Sequence, residues 1–179
     1  MKHLVICFFL LITSSFLCAQ TYTPTDKDSK VHFVIRNFGI RSGGDFSGLK
    51  GNIVFNPEAL NTCRFDVTVD AGTVDTDNKT RDNHLRSADY FDTGKYPLIG
   101  FKSSRVTAST VPGQYDVTGM LTIKGISREL QFGFSATPVN KDYLFTGTFE
   151  INRLDFGVGG NSLVLSEEVL ITLTVIARK

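Results

Sequence analysis

Along most of the chain, apolar side chains return at every second position. This period turns one face of an extended strand toward a core and the other toward water. Val31, Phe33 and Ile35 alternate with His32, Val34 and Arg36, and Phe65, Val67 and Val69 alternate with Arg64, Asp66, Thr68 and Asp70. The pattern returns at Tyr115, Val117, Gly119, Leu121 and Ile123, then at Leu130, Phe132, Phe134 and Ala136. It closes at Phe145, Gly147, Phe149 and Ile151, and at Val169, Ile171, Leu173 and Val175. Two further strands, over Asp45 to Phe55 and Leu98 to Val106, bring the expected number to about eight. Turn residues cluster between them at Asn56 to Asn61, Val111 to Gly113 and Pro138 to Asp142.

One stretch breaks the period. From Thr80 to Phe101 the chain reads TRDNHLRSADYFDTGKYPLIGF, with charged residues interleaved among Leu85, Tyr90, Phe91 and Tyr96. A short helix is predicted here, after the third strand. Asp77 or Asn78 can cap its start, Asp82 and Arg86 stand in the favourable i, i+4 order, and Leu85, Ala88 and Phe91 form an apolar stripe. Gly94 and Pro97 are expected to end it.

Antiparallel strands with one wet face must stack as a sandwich or close as a barrel, since an open sheet leaves edges and an apolar face exposed. Gly48, Gly51, Gly119, Gly133 and Gly147 fall within strand patterns. Glycine weakens a strand unless the sheet must bend or leave space, and this favours a barrel.

The run Arg81, Asp82, Leu85, Arg86, Ser87, Phe91, Asp92, Tyr96, Pro97 and Phe101 closely resembles the central motif of the YceI-like family, RDxHLRSxDFFDxxxYPxIxF. Gly48 to Phe55, Thr73 to Thr76, the group Gly119, Leu121, Ile123, Lys124 and Gly125, and the late group Asn152, Arg153, Asp155, Phe156 and Gly157 agree with the wider pattern. The resemblance spans nearly all of the chain after Gln20. It implies a single all-β domain, an antiparallel lipocalin-like barrel, that holds a long apolar molecule such as a polyisoprenoid outside the cytoplasm.

Residues 1–19 combine a basic Lys2, an apolar stretch from Leu4 to Ile12 and small or polar residues before Ala19, which reads as a secretory signal peptide. The apolar run is too short for a comfortable membrane span. Cleavage is expected between Ala19 and Gln20, leaving a 20–179 domain in the periplasm or outside the cell. Lipidation of Cys18 is the competing outcome, disfavoured by Leu17 where a small residue is normally required. Removal of the segment takes two of the three cysteines and leaves Cys63, which cannot form an internal disulfide and is expected to be buried and inert. The one charged residue removed is Lys2, so the 19 basic residues become 18 against 18 acidic ones. A neutral chain argues against nucleic acid as partner.

No catalytic or cofactor constellation emerges. His32 and His84 lack metal-ligand spacing, so no metal is expected. Asp70, Asp75 and Asp77 fail as a calcium loop because Lys79 stands where an oxygen is wanted. Gly157, Gly159 and Gly160 read as a loop, and no serine sits in a nucleophile-elbow setting. The sequon Asn78, Lys79, Thr80 is too common a triplet to carry weight.

Twelve of the 15 Phe survive signal removal, spread over many strand faces. Singly, an inward Phe is ordinary core. Together with backbone-only glycines, such rings suit an apolar tunnel, where a prenyl or acyl tail gains about 0.8 kcal/mol per buried methylene. The inward positions Phe33, Ile35, Phe46, Phe65, Val67, Phe101, Val117, Leu121, Phe132, Phe134 and Phe149 are the expected lining. Arg81 and Arg86 either pair with Asp82, Asp92 or strand ends, or offer a fork to a phosphate or carboxylate head group. Arg153 and Asp155 carry the same ambiguity. Asp82, Leu85, Phe91, Asp92, Tyr96 and Pro97 are expected to be structural.

A binding protein for one long isoprenoid, quinone, or acyl lipid is therefore the leading reading. It would bind no cofactor and touch membranes at most transiently, and a homodimer is compatible with it. An enzyme acting on a hydrophobic substrate in the same cavity is the alternative, weakened by the missing nucleophile and cofactor fingerprint. A sandwich that binds another protein is a third.

Overall fold

The computed structural model describes residues 20–179, so the expected signal peptide, with Cys7 and Cys18, lies outside the described residues. Eight strands follow in chain order: β1 (Thr21–Asn37), β2 (Ile40–Val54), β3 (Arg64–Asp75), β4 (Leu98–Ala108), β5 (Gln114–Ile123), β6 (Ile126–Val139), β7 (Asp142–Asn152) and β8 (Leu165–Arg178). Each pairs antiparallel with the next, and β8 pairs with β1, so the sheet closes as a barrel. Among the described residues one α-helix, α1 (Lys79–Arg86), stands between β3 and β4, and 3-10 turns span Leu60–Thr62 between β2 and β3 and Arg153–Phe156 between β7 and β8.

The alternating segments became the strands. β1 nevertheless begins at Thr21, well before the alternation starts at Val31. Its first half is polar and irregular: the pairing with β2 jumps between Tyr22 and Val31, and Asp28 adopts a left-handed φ of 64°. The Asp26 carboxylate takes up the slack by accepting the backbone N–H of Gly48 at 3.1 Å and of Leu49 at 2.9 Å. The start of β1 is held by short pairings, Thr21 and Tyr22 with β2 and Thr23–Thr25 with β8, and by the buried Tyr22 and Pro24.

The helix is shorter than its stripe of apolar residues suggests. Asn78, extended, accepts the Arg81 backbone N–H on its side chain, while Asp77 sits one residue outside at φ 58°. The helix stops at Ser87, whose N–H and hydroxyl both bond the His84 carbonyl. Ala88 and Phe91 lie in the turns beyond, and Gly94 and Pro97 are not its terminators.

Two glycines are dictated by the close passage of strands. A Cβ at Gly119 would lie 2.5 Å from the Lys102 carbonyl oxygen, and one at Gly51, where φ is 124°, would collide with the Asp66 carbonyl. Any side chain there would push the neighbouring strand away.

One end of the barrel is packed solid. Tyr22, Phe55, Cys63, Val106, Val117, Phe134, Phe145 and Ala177 are buried together, with Phe65, Tyr115 and Tyr143 against them. Phe55 is the hub, meeting Tyr115, Tyr143 and Phe145 edge-on with centroids 5.2–5.3 Å apart. Edge-to-face packing satisfies the ring quadrupoles and excludes water from this floor. Cys63 is fully buried beside it, its thiol donating to the Asn56 carbonyl at 3.4 Å.

Candidate functional site

Above the aromatic floor the barrel opens into a cavity of about 740 Å³. That volume suits an extended small amphiphile. The floor is formed by Ile53, Phe65, Phe134 and Phe145, and the rim by Asn37, Phe38 and Ser42 of the first hairpin, by Arg81, His84 and Leu85 of α1, and by Gly160, Asn161, Ser162 and Val164. No Asp, Glu or Lys borders it among the described residues; its formal charges are Arg81 and Arg153. Below its polar rim such a wall favours a guest by the apolar area it buries.

All eleven strand residues expected to line an interior border this cavity. They do so differently. Val117, Leu121 and Phe134 are buried in the wall itself, while the other eight are half-buried because one side of each faces the space. Phe132 and Phe149 stack at 4.3 Å where β6 and β7 part, beyond the last ladder pair of Phe134 and Gly147. Phe33 meets Phe46 at 5.5 Å, and Phe46 meets Phe91 edge-on at 5.4 Å, so the turn after α1 covers one side of the mouth. Aliphatic residues complete the wall, among them Leu49, Ile99, Leu130, Ile151, Ile171 and Leu173. Leu130, Ile151, Ile171 and Leu173 sit in the same alternation as the expected lining, so the period itself marks them.

The charges of α1 do not pair with one another. Asp82, 5% exposed, accepts the Thr76 N–H at 2.9 Å and the Thr76 hydroxyl at 2.6 Å on one oxygen. Arg81 donates from Nε to the same hydroxyl at 2.8 Å and from its terminal nitrogen to the Thr76 carbonyl at 2.6 Å. Thr76 is thus clamped from both sides, and the clamp aims Arg81 along the cavity rim. Arg86 turns away instead, donating to the carbonyls of Gly72 at 2.7 Å and Val74 at 2.6 Å. It does not border the cavity. The predicted Asp82–Arg86 pair is absent for a physical reason. The β3–β4 ladder ends at Asp70, leaving carbonyls at the end of β3 that need donors; Arg86 satisfies two of them, while the buried Asp82 carboxylate is taken up by Thr76.

The remaining motif residues tie the segment down. Asp92, at φ 48°, accepts the N–H groups of Lys95 and Tyr96 on its carbonyl, and the Tyr96 ring covers Gly125 in the β5–β6 turn. The Pro97 carbonyl accepts the Ala71 N–H at 2.8 Å, and Leu85 and Phe91 reach the cavity. Arg153, 4% exposed, donates to the carbonyls of Ser166, Val158 and Gly160 at 2.8–2.9 Å. A buried guanidinium is tolerated because carbonyls replace its water, and in return it fixes the loop that forms part of the rim.

Three perturbed groups lie at the floor. Burial pushes the Cys63 thiol up, outweighing the opposing effects of the Asn56 backbone bond and nearby Arg64, so the thiol stays protonated and unreactive. Burial likewise raises Tyr22 and Tyr143, whose rings meet edge-on at 5.2 Å. No cluster of metal-ligating side chains occurs among the described residues.

Residues 22–177 match the model of the YceI-like domain. The chain belongs to the YceI-like family. It is 29% identical over 175 residues to a UPF0312 protein of Pseudomonas paraeruginosa, covering 92% of this chain and 90% of that protein. It is 34% identical over 99 residues to Protein YceI of Escherichia coli O157:H7, about half of each chain (55% and 51%). Among solved structures, BcnA of Burkholderia cenocepacia superposes with a TM-score of 0.81 at 25% identity, covering 86% of this chain and 98% of BcnA. A polyisoprenoid binding domain from Saccharophagus degradans gives 0.70 over 88% of this chain and 97% of that one; at 13% identity it attests the fold alone.

Proposed function

We propose that this YceI-like barrel is an exported carrier that sequesters or transports one long apolar amphiphile, of the polyisoprenoid, isoprenoid quinone or fatty-acid and amide type. The observation that carries this reading is the cavity: about 740 Å³, walled by aromatic and aliphatic side chains, closed below by interlocked rings and bordered by no carboxylate among the described residues. The name of the Saccharophagus domain, which shares the fold, points to the same class of cargo. Residues 1–19 serve as its signal peptide in this reading, giving a periplasmic or secreted protein that starts at Gln20, a start that intact-mass analysis reads directly.

Native mass spectrometry of protein purified from its own host identifies the cargo. With delipidated protein and a homologous series of prenyl or acyl ligands, affinity should rise about fourfold per added methylene until the cavity is full. Salt should change it little, since buried apolar area and not counter-ion release sets the affinity. Leu121, 7% exposed in the wall, supplies the contrast. Leu121→Ala should weaken binding, whereas Leu121→Asp should abolish it or the fold, because a stranded buried carboxylate costs several kcal/mol. A delipidated, folded protein that takes up no prenyl or acyl ligand at any salt concentration refutes the carrier reading.

A further inference from the structure

The cavity mouth carries an apolar rim that the interior does not require. Phe38 and Ile40, at the tip of the β1–β2 hairpin, are 75% and 72% exposed, and Leu163 is fully exposed beside Val164. The two pieces form one surface, since the Phe38 N–H donates to the Val164 carbonyl at 2.8 Å and Asn37 pairs with Leu165. Phe38 is followed by Gly39, and both adopt left-handed backbone angles (φ 51° and 75°), as a tight two-residue hairpin turn requires. Scattered exposed apolar residues are ordinary; four at one end, around the opening of a lipid-sized cavity, are not.

Directly behind this tip stand two cations. Arg36 and Arg41 are register partners in the hairpin, both exposed, and neither forms an ion pair among the described residues. Like charges facing each other across a ladder repel, so the pair is a liability to the hairpin unless an anionic surface meets it. The acids at the start of β8 are otherwise engaged: Glu167 accepts from Asn152 at 3.1 Å and Glu168 from Ser166 at 3.0 Å. An apolar tip backed by unpaired guanidinium groups is the arrangement that lies in a bilayer interface, with rings and branched chains below the head groups and arginines among the phosphates.

We propose that this rim docks on the surface of an anionic bilayer, placing the cavity mouth against the lipid from which the cargo is drawn. This rests on the carrier reading for its purpose but not for its geometry. A bilayer is the occupant the observations select, because the patch joins the mouth and a second copy of the same chain would set four arginines face to face. Contact would be transient, since so few apolar side chains and two charges give weak, reversible attachment.

The test is co-sedimentation of protein exported from the full chain, each variant checked by mass to share one N-terminus. The vesicles are phosphatidylcholine alone or phosphatidylcholine with an equal part of phosphatidylglycerol. Binding is expected on the mixed vesicles. Arg36→Gln and Arg41→Gln should each weaken it about fivefold. The double variant Ile40→Ser with Leu163→Ser, neither of which borders the cavity, should weaken it by about tenfold or more. Uptake of a prenyl ligand from detergent should be unchanged in that double variant, which separates failure of docking from failure of the cavity. Undiminished vesicle binding in the double variant, equal binding to both vesicle types, or a concentration-dependent dimer that the double variant dissolves would each overturn the proposal.

Discussion

Removing the carboxylate of Asp82 tests whether α1 is held to the barrel through Thr76. Asp82 is 5% exposed and accepts two bonds from Thr76, one from backbone and one from the hydroxyl, at 2.9 and 2.6 Å. In Asp82→Ala the Thr76 N–H loses its acceptor in a buried site, which alone costs about 1 to 3 kcal/mol. The hydroxyl loses a charged acceptor while it still receives Arg81 Nε, so the clamp on Arg81 loosens as well. Relief of the buried carboxylate offsets part of this, and a net loss of about 3 kcal/mol is expected. For a domain of this size that lowers the melting temperature by about 6 to 12 °C. Asp82→Asn keeps an acceptor oxygen in place and should lose about 1 kcal/mol.

The assay is a thermal melt of delipidated protein with a double-mutant cycle against Thr76→Val. A coupling of about 1 to 2 kcal/mol is expected between the two positions, because they share a bond and a partner. An Asp82→Ala protein that melts within about 2 °C of the parent, or strict additivity in the cycle, refutes the clamp. Loss of cargo at an unchanged melting temperature would instead assign the segment to head-group binding through Arg81.

Two further outcomes are expected. Arg153→Met strands three carbonyls of the rim loop and should cost about 3 kcal/mol or more, seen as a lower melting temperature and as protease cleavage within residues 157–165. Stability should fall on the alkaline side: Cys63, Tyr22 and Tyr143 are all raised by burial, so the unfolded chain releases these protons first. Stability from these groups is whole below the ordinary thiol value and declines from about pH 8.5, continuing through the tyrosine range above about pH 10. Cys63→Ala should flatten the first part of that decline in melts taken across pH; an unaltered slope would contradict the assignment.

The strands were legible because one-sided burial imprints period two, and the sites where β2 and β5 carry glycine were legible because bare backbone inside a strand is costly. What periodicity does not encode is where the interior is filled. Phe134 and Phe132 are two residues apart on the same face of β6 and both border the cavity, yet Phe134 is buried in its floor while Phe132 is half-buried along its wall. The difference comes from what stands opposite. Phe134 meets Phe55, Phe65 and Tyr115, rings delivered by other strands at the same level, whereas Phe132 has Phe101 and Phe149 beside it and open space in front. That depends on the stagger of strands around the barrel, a property of all eight together.

The charged helix shows the same limit from the polar side. Local spacing pairs Asp82 with Arg86, and it is a sound rule for an isolated helix, worth a few tenths of a kcal/mol. Here the competing partners are carbonyls at the frayed end of β3, brought within reach only once β3 leaves β4 at Asp70. Two bonds to carbonyls that would otherwise lack donors, together with the two bonds Thr76 gives to the buried Asp82, outweigh one i, i+4 pair, so the tertiary contacts win. The consequence for function is directional. With Arg86 committed to the end of β3 and Asp82 to Thr76, Arg81 is the charged group of α1 that borders the cavity, so on the carrier reading proposed above it is the place on α1 to look for a contact with the polar end of a cargo.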